Sequence, residues 1–135
     1  MLEVEIAIDL AALEPAQARI EAYLAACGAP SAQQLRVRLV VEELIANLVM
    51  HGRFLADPPP PARVSVRRED ARVTLCVEDA AAPFDPRGVR PVMPPQSIES
   101  MTIGGAGLTL LRRVAEIRGY MRTAAGWNRA ELRVG

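Results

Sequence analysis

The order in which hydrophobic periodicity changes along the chain restricts its fold most. Leu2, Val4, Ile6 and Ile8 alternate with Glu3 and Glu5, the two-residue repeat of a strand with one face in a core. From Leu13 to Cys27 the repeat becomes helical, with Pro15 tolerable in the first turn and Gly28 as the stop. A second helix is predicted from an N-cap at Ser31 to about Met50, ending at His51-Gly52. Beyond the stiff connector Asp57-Pro58-Pro59-Pro60-Pro61, period two returns at Arg63–Arg68 and Arg72–Glu78, a hairpin with Glu69-Asp70 at its turn. Leu108–Ile117 is expected as a short helix. Gly119–Thr123 and Trp127–Val134 are expected as a closing hairpin around Ala125-Gly126. This order predicts the α+β class: a two-layer sandwich, with a mixed, mainly antiparallel sheet and helices on one face.

A chain of 135 residues, half of them hydrophobic, can bury a core as a single domain over 1–135. Sixteen acidic and sixteen basic residues cancel, which argues against direct nucleic-acid binding, since that needs a basic stripe or excess. Every basic residue is Arg. Without Lys there is neither a Walker-type phosphate loop nor Schiff-base chemistry. Cys27 and Cys76 lack metal or redox spacing and are expected to be small buried hydrophobes. Met1 leads directly into a strand, and no apolar run approaches the ~20 residues that span a bilayer. The expectation is a soluble, cytoplasmic protein without a membrane partner.

Three segments could carry chemistry. In the second helix, Val37, Val41, Leu44 and Leu48 form the predicted buried stripe. Glu43 and Asn47, four apart, share a face about a quarter-turn away, where a cleft would border the core. A carboxylate and an amide offer oxygen ligands suited to Mg²⁺ shared with phosphates. Glu42 points ~100° away from Glu43 and has no amide partner. Asp79 ends the apolar strand Val73, Leu75, Val77, where a carboxylate can meet a ligand or form a turn. Gly104-Gly105-Ala106-Gly107 precedes a helix, so successive N–H groups and the helix dipole could cradle an anion; it could equally be a hinge. His51, the single histidine, is expected to interact with the carbonyl end of its helix. Residues 80–103 hold five of the eleven prolines and no periodicity, a loop length that usually marks a functional lid or a disordered segment.

Taken in order, these segments resemble the bacterial anti-sigma-factor serine/threonine kinases of the GHKL (histidine-kinase-like) ATPase superfamily. Glu43-x-x-x-Asn47-x-x-x-His51-Gly52 resembles the family's N box. Asp79-Ala80-Ala81-Ala82-Pro83-Phe84-Asp85-Pro86 resembles its first glycine box, D-x-G-x-P-F-D-P. Gly104-Gly105-x-Gly107-Leu108-x-Leu110 resembles the second. The resemblance implies a Bergerat-type ATP-binding fold with an ATP lid at about 86–104. It implies ATP and Mg²⁺ as cofactors, Asn47 as the metal ligand and Glu43 as the general base. Asp79 would accept the adenine amino group, with Ala81 at the base end, and Gly104, Gly105, Gly107 and Leu108 would hold phosphates. The implied partners are a STAS-domain anti-anti-sigma protein, phosphorylated on serine, and a sigma factor. A homodimer is also implied.

Ala81 departs from that pattern, because the family normally has Gly there. Gly is favoured where φ is positive or a ligand approaches the backbone closely, so the methyl could weaken nucleotide binding. Two readings follow: an ATP-dependent serine kinase in a partner-switching system, or a module that sequesters a partner with little or no nucleotide binding.

Overall fold

The computed structural model describes residues 1–84, 86 and 111–135. β1 (Leu2–Ile6) is followed by a short 3-10 turn (Leu10–Ala12), α1 (Leu13–Ala26) and α2 (Ser31–His51). Then come β2 (Ala62–Glu69) and β3 (Arg72–Asp79), a helical turn over 111–114, β4 (Glu116–Arg122) and β5 (Asn128–Val134). The five strands form one sheet in the order β1-β2-β3-β5-β4. Every described pairing is antiparallel, so the mixed component expected from the sequence is missing from these five strands.

Alternation in the strands dictates the layers. Val64 and Val66 of β2, Val73, Leu75 and Val77 of β3, and Ala130, Leu132 and Val134 of β5 all point to one face and are buried. The helices cover that face, contributing Ile20 and Leu24 from α1 and Val37, Val40, Val41 and Ile45 from α2. Each such side chain, fully buried, is worth about 1.5–3 kcal/mol relative to exposure. The stripe of α2 is broader than predicted. Val40 and Ile45 are fully buried, whereas Leu44 and Leu48 only flank the core. A helix facing a sheet buries a stripe more than 100° wide; Val37 and Val41 of the predicted series lie in its centre, and Leu44 and Leu48 at its edge.

Local signals explain most of the boundaries. Gly28, with φ of 80°, ends α1: its N–H donates to the Ala25 carbonyl and the Ala29 N–H to the Leu24 carbonyl, a Schellman closure. The expected N-cap at Ser31 is displaced, because Pro30 occupies the cap position in extended geometry and Ser31 is the first helical residue. The β2–β3 turn falls one residue later than expected, on Asp70 (φ 52°) and Ala71 (φ 63°). Two consecutive positive φ angles match the right-handed twist of the strands they join. The helix expected to reach Ile117 stops earlier, since β4 begins at Glu116 and Ile117 pairs with Leu132.

Both cysteines differ from expectation. Cys27 is exposed at the end of α1. Cys76 lies between Leu75 and Val77 and therefore faces the uncovered side of the sheet, half-buried, where desolvation pushes its thiol pKa up. Two glutamines are buried instead. Gln33 donates through Nε2 to the carbonyls of Ala71 and Val134 and accepts from Arg68 Nε, tying α2 to the β2–β3 turn and the end of β5. Gln17 Nε2 donates to the Arg38 carbonyl, bridging α1 and α2. Among the described residues, no helix is long and apolar enough to cross a membrane.

Candidate functional site

The C-terminal ends of α2 and β3 meet at one end of the sheet. Glu43 and Asn47 lie on α2, both half-buried, on the flank between the covered stripe and solvent, whereas Glu42 is exposed. Desolvation, followed by the neighbouring Glu42 charge, raises the Glu43 pKa. Such a carboxylate holds an accepted proton more firmly, which suits a general base. α2 ends at Gly52, and its geometry leaves no room for a side chain. A Cβ there would strike the Leu48 carbonyl and come 2.7 Å from Phe54 Cε2. His51 is the last residue of α2 and is exposed.

Asp79 is the last residue of β3 and is buried, with 9% of its surface exposed. Its Oδ1 accepts from the Ala81 N–H at 3.0 Å and from Asn128 Nδ2 at 2.8 Å. Both bonds fall on one oxygen. The turn-forming role and the ligand-facing role weighed from the sequence are therefore compatible, because Oδ2 makes none of the bonds found among the described residues. Burial raises the Asp79 pKa; the bonds from Asn128 and Ala81 and the charge of Arg122 pull in the opposite direction.

Ala81 is buried, and its backbone is fully engaged. Its N–H serves Asp79, while its carbonyl accepts from Asn128 Nδ2 at 3.1 Å and Arg122 Nη1 at 3.1 Å. Its φ is not positive: among the described non-glycine residues only Asp70 and Ala71 enter the left-handed region. The next residue joins this loop to α2, with the Ala82 N–H donating to the Arg53 carbonyl at 2.7 Å, just past Gly52. The segment that carries Asn47 is thereby stitched to the segment that follows Asp79.

Asn128, Arg122, Tyr120 and Arg53 belong to this end of the molecule and are not identified by the sequence reading. Asn128 pairs directly with Asp79 across β3 and β5. An Asn opening a strand is unfavourable for a pleated surface, and that mismatch, opposite a strand-ending Asp, is the available signal. Gly104, Gly105, Gly107 and Leu108 lie outside the described residues, as does the lid expected at about 86–104 apart from Pro86. No group of three or more His, Cys, Asp or Glu that could hold a metal occurs among the described residues. On the flank of α2 that borders solvent, the Glu43 carboxylate and the Asn47 amide supply oxygen donors of the kind that a hard cation takes.

The sequence profile of the histidine kinase-like ATPase domain matches residues 6–131. A serine/threonine-protein kinase, BtrW, of Bordetella bronchiseptica is 30% identical over 96 residues, which is 70% of this chain and 65% of BtrW. The chain thus spans just under two thirds of that relative. The crystal structure of the SiaB-SiaC complex from Pseudomonas aeruginosa contains a similar fold, with a TM-score of 0.57 at 17% identity, covering 99% of this chain and 89% of the other. The α+β architecture and the resemblance to kinase-type relatives expected from the sequence both stand.

Proposed function

We propose that this chain, which belongs to the histidine kinase-like ATPase domain family, is an ATP-binding anti-sigma regulatory factor that phosphorylates a serine of a STAS-domain anti-anti-sigma protein. The observation that carries this reading is Asp79, buried at the strand end with Oδ1 held by Asn128 and Ala81. A carboxylate in that state presents one acceptor-only oxygen, which suits the exocyclic amino group of adenine.

The chemistry asks for positioning and charge neutralisation. Asn47 would hold Mg²⁺, which when bound neutralises charge on the phosphates. Glu43 accepts the proton of the serine hydroxyl as its oxygen forms a bond to the γ-phosphorus; the bond to the β–γ bridging oxygen breaks and ADP departs. The backbone N–H groups of Gly104, Gly105, Gly107 and Leu108 are the proposed hydrogen-bond donors to the phosphates. A sigma factor as the second partner, a homodimer and a cytoplasmic setting complete the proposal.

The rival reading, a partner-sequestering module without nucleotide, is motivated by Ala81. That residue needs no left-handed φ here, which speaks against backbone strain as the motive; crowding of the base by the Ala81 methyl is what the titration decides. Calorimetric titration with ATP, with and without Mg²⁺, separates the two. Saturable, Mg²⁺-enhanced binding is expected, followed by acid-stable phosphate on the serine of a cognate STAS protein. Glu43→Ala should abolish transfer and leave ATP binding largely intact. No binding at millimolar ATP, or undiminished transfer by the variant, would overturn the assignment.

A further inference from the structure

We propose that Asn128 is the positioning residue of the base end of this site: one amide orients Asp79 and fixes the backbone of 81–84, and so sets which base edge Asp79 accepts. The proposal rests on the nucleotide-binding reading above and extends it to the residue that enforces base choice.

The segment Ala80-Ala81-Ala82-Pro83-Phe84 has no polar side chain. Its backbone groups have no local side chain to pair with, and at Ala81, the one buried residue of the five, an unpaired group would be costly. Asn128, only 4% exposed, supplies several of the partners. The two hydrogens of its Nδ2 serve three acceptors, Asp79 Oδ1 at 2.8 Å and the carbonyls of Ala81 and Ala82, each at 3.1 Å, so that one N–H is shared. Its Oδ1 accepts from the Phe84 N–H at 3.2 Å, from Arg122 Nη1 at 3.0 Å and from the Tyr120 hydroxyl. All acceptors gather at one end of the amide and all donors at the other. The amide has a single orientation, and neither a carboxylate nor a hydroxyl reproduces it.

The consequence for the ligand follows from Asp79. With Oδ1 occupied by two N–H donors, the carboxyl cannot rotate without losing both bonds. Donation from Asn128 also favours the ionised form and opposes the desolvation that raises the pKa of this group. In the ionised form that Asn128 favours, a fixed Oδ2 accepts from a 6-amino purine and repels the 6-oxo group of hypoxanthine. Without Asn128, Asp79 takes up a proton more readily or turns, and the distinction between ATP and ITP weakens.

Three measurements on the full chain test this. In wild-type protein, hydrogen exchange should show the Ala81 and Phe84 amides protected, although Phe84 itself is exposed. In nucleotide-free Asn128→Ala, the Asp79 carboxyl followed by NMR should titrate at higher pH than in wild type. Affinity for ATP should fall about tenfold, as expected for loss of bonds to a charged group, with a smaller loss for ITP, so that the ATP-to-ITP ratio drops. Asn128→Ser, smaller and retaining one donor, carries the same measurements should the alanine variant fail to fold. Unprotected amides in wild type, or an unmoved Asp79 titration in a folded variant, would overturn the proposal. An equal loss for ATP and ITP would overturn the base-choice claim. Absence of ATP binding by wild type would remove the nucleotide reading, and the exchange and titration results would still decide the positioning role.

Discussion

Replacing Asp79 by Asn should stabilise the fold while removing ligand recognition. The substitution keeps size and shape. The amide introduced at this position has one allowed orientation, because two N–H donors, from Ala81 and Asn128, converge on the position of Oδ1. The carbonyl oxygen must sit there, and the NH₂ then replaces Oδ2. Both native bonds persist, so the change reduces to the desolvated charge. Burial raises the Asp79 pKa above its ordinary value of 3.8. The native state therefore binds this proton more tightly than the unfolded chain does, and the ionised group opposes folding at neutral pH. Removing it should gain about 1 kcal/mol, the size of one unfavourable polar burial offset by partial pairing. That gain raises Tm by roughly 2–6 °C for a chain of this length. The sign of the pH dependence follows. Below the ordinary carboxylate range Asp79 is protonated in both states and the two proteins should melt alike. As pH rises through the native pKa, wild type loses the stability that the proton conferred, and the gap opens to its full value. In the same protein an NH₂ group faces the ligand's amino group, donor against donor, so ATP affinity should fall by about ten- to a hundredfold. Differential scanning calorimetry from about pH 3 to pH 8 and ATP titration near pH 7 test both halves. A variant less stable than wild type at neutral pH would refute the account, because the pairing of Asp79 would then outweigh its desolvation.

Two further substitutions probe the elements that hold the site. Ala71→Gly should raise Tm by a few degrees, about 0.5–1 kcal/mol, since φ of 63° strains a residue with a Cβ and the Gln33 bond to its carbonyl uses only backbone; an unchanged or lower melting temperature would show that the turn holds no such strain. Gly52→Ala should destabilise by roughly 1–3 kcal/mol and weaken ATP binding, because the new methyl meets the Leu48 carbonyl and the Phe54 ring just before the Arg53 carbonyl that anchors Ala82; chemical denaturation followed by titration measures both effects, and wild-type behaviour in each would contradict the packing described.

Where the fold is governed by local signals, it is legible in the sequence. Alternation of small apolar and charged residues locates β1, β2, β3 and β5, and Gly28 locates the end of α1, because period and positive φ are properties of a few adjacent residues. The differences arise where a residue's state depends on distant partners. Val40 and Ile45 fall outside the predicted stripe because its width is set by the sheet that α2 covers. Cys76 is expected in the core, yet strand parity places it on the uncovered face between Leu75 and Val77. The helix expected to run through Ile117 has ambiguous apolar spacing, and pairing with Leu132 decides for a strand. In the site, Glu43, Asn47 and Asp79 can be proposed from spacing and position. Asn128 is marked only by being an Asn that opens a strand; it lies 49 residues from Asp79 in sequence, and its role appears only through register.

Ala81 shows how such a distant contact changes the meaning of a local departure. Judged by its neighbours, an Ala in place of Gly signals strain or crowding, and a run of three alanines signals a loop with nothing to order it. The structure removes the strain, because the φ of Ala81 lies outside the left-handed region. The lack of local order is met from across the sheet. Asn128 binds both the Ala81 and Ala82 carbonyls and the Phe84 N–H, and Arg122 adds a second donor to Ala81. Order in this loop thus depends on partners in β4, β5, the end of β3 and the segment after α2 rather than on its own side chains. Restoring glycine at 81 would remove a buried methyl and add unfolded-state entropy without relieving any positive φ. Ala81→Gly should therefore lower stability by about 0.5–1 kcal/mol and leave ATP affinity within about threefold of wild type, the scatter expected of a contact that loses no hydrogen bond. A large gain in affinity instead would mean that the methyl does crowd the base, and thermal melting with parallel ATP titration distinguishes these outcomes.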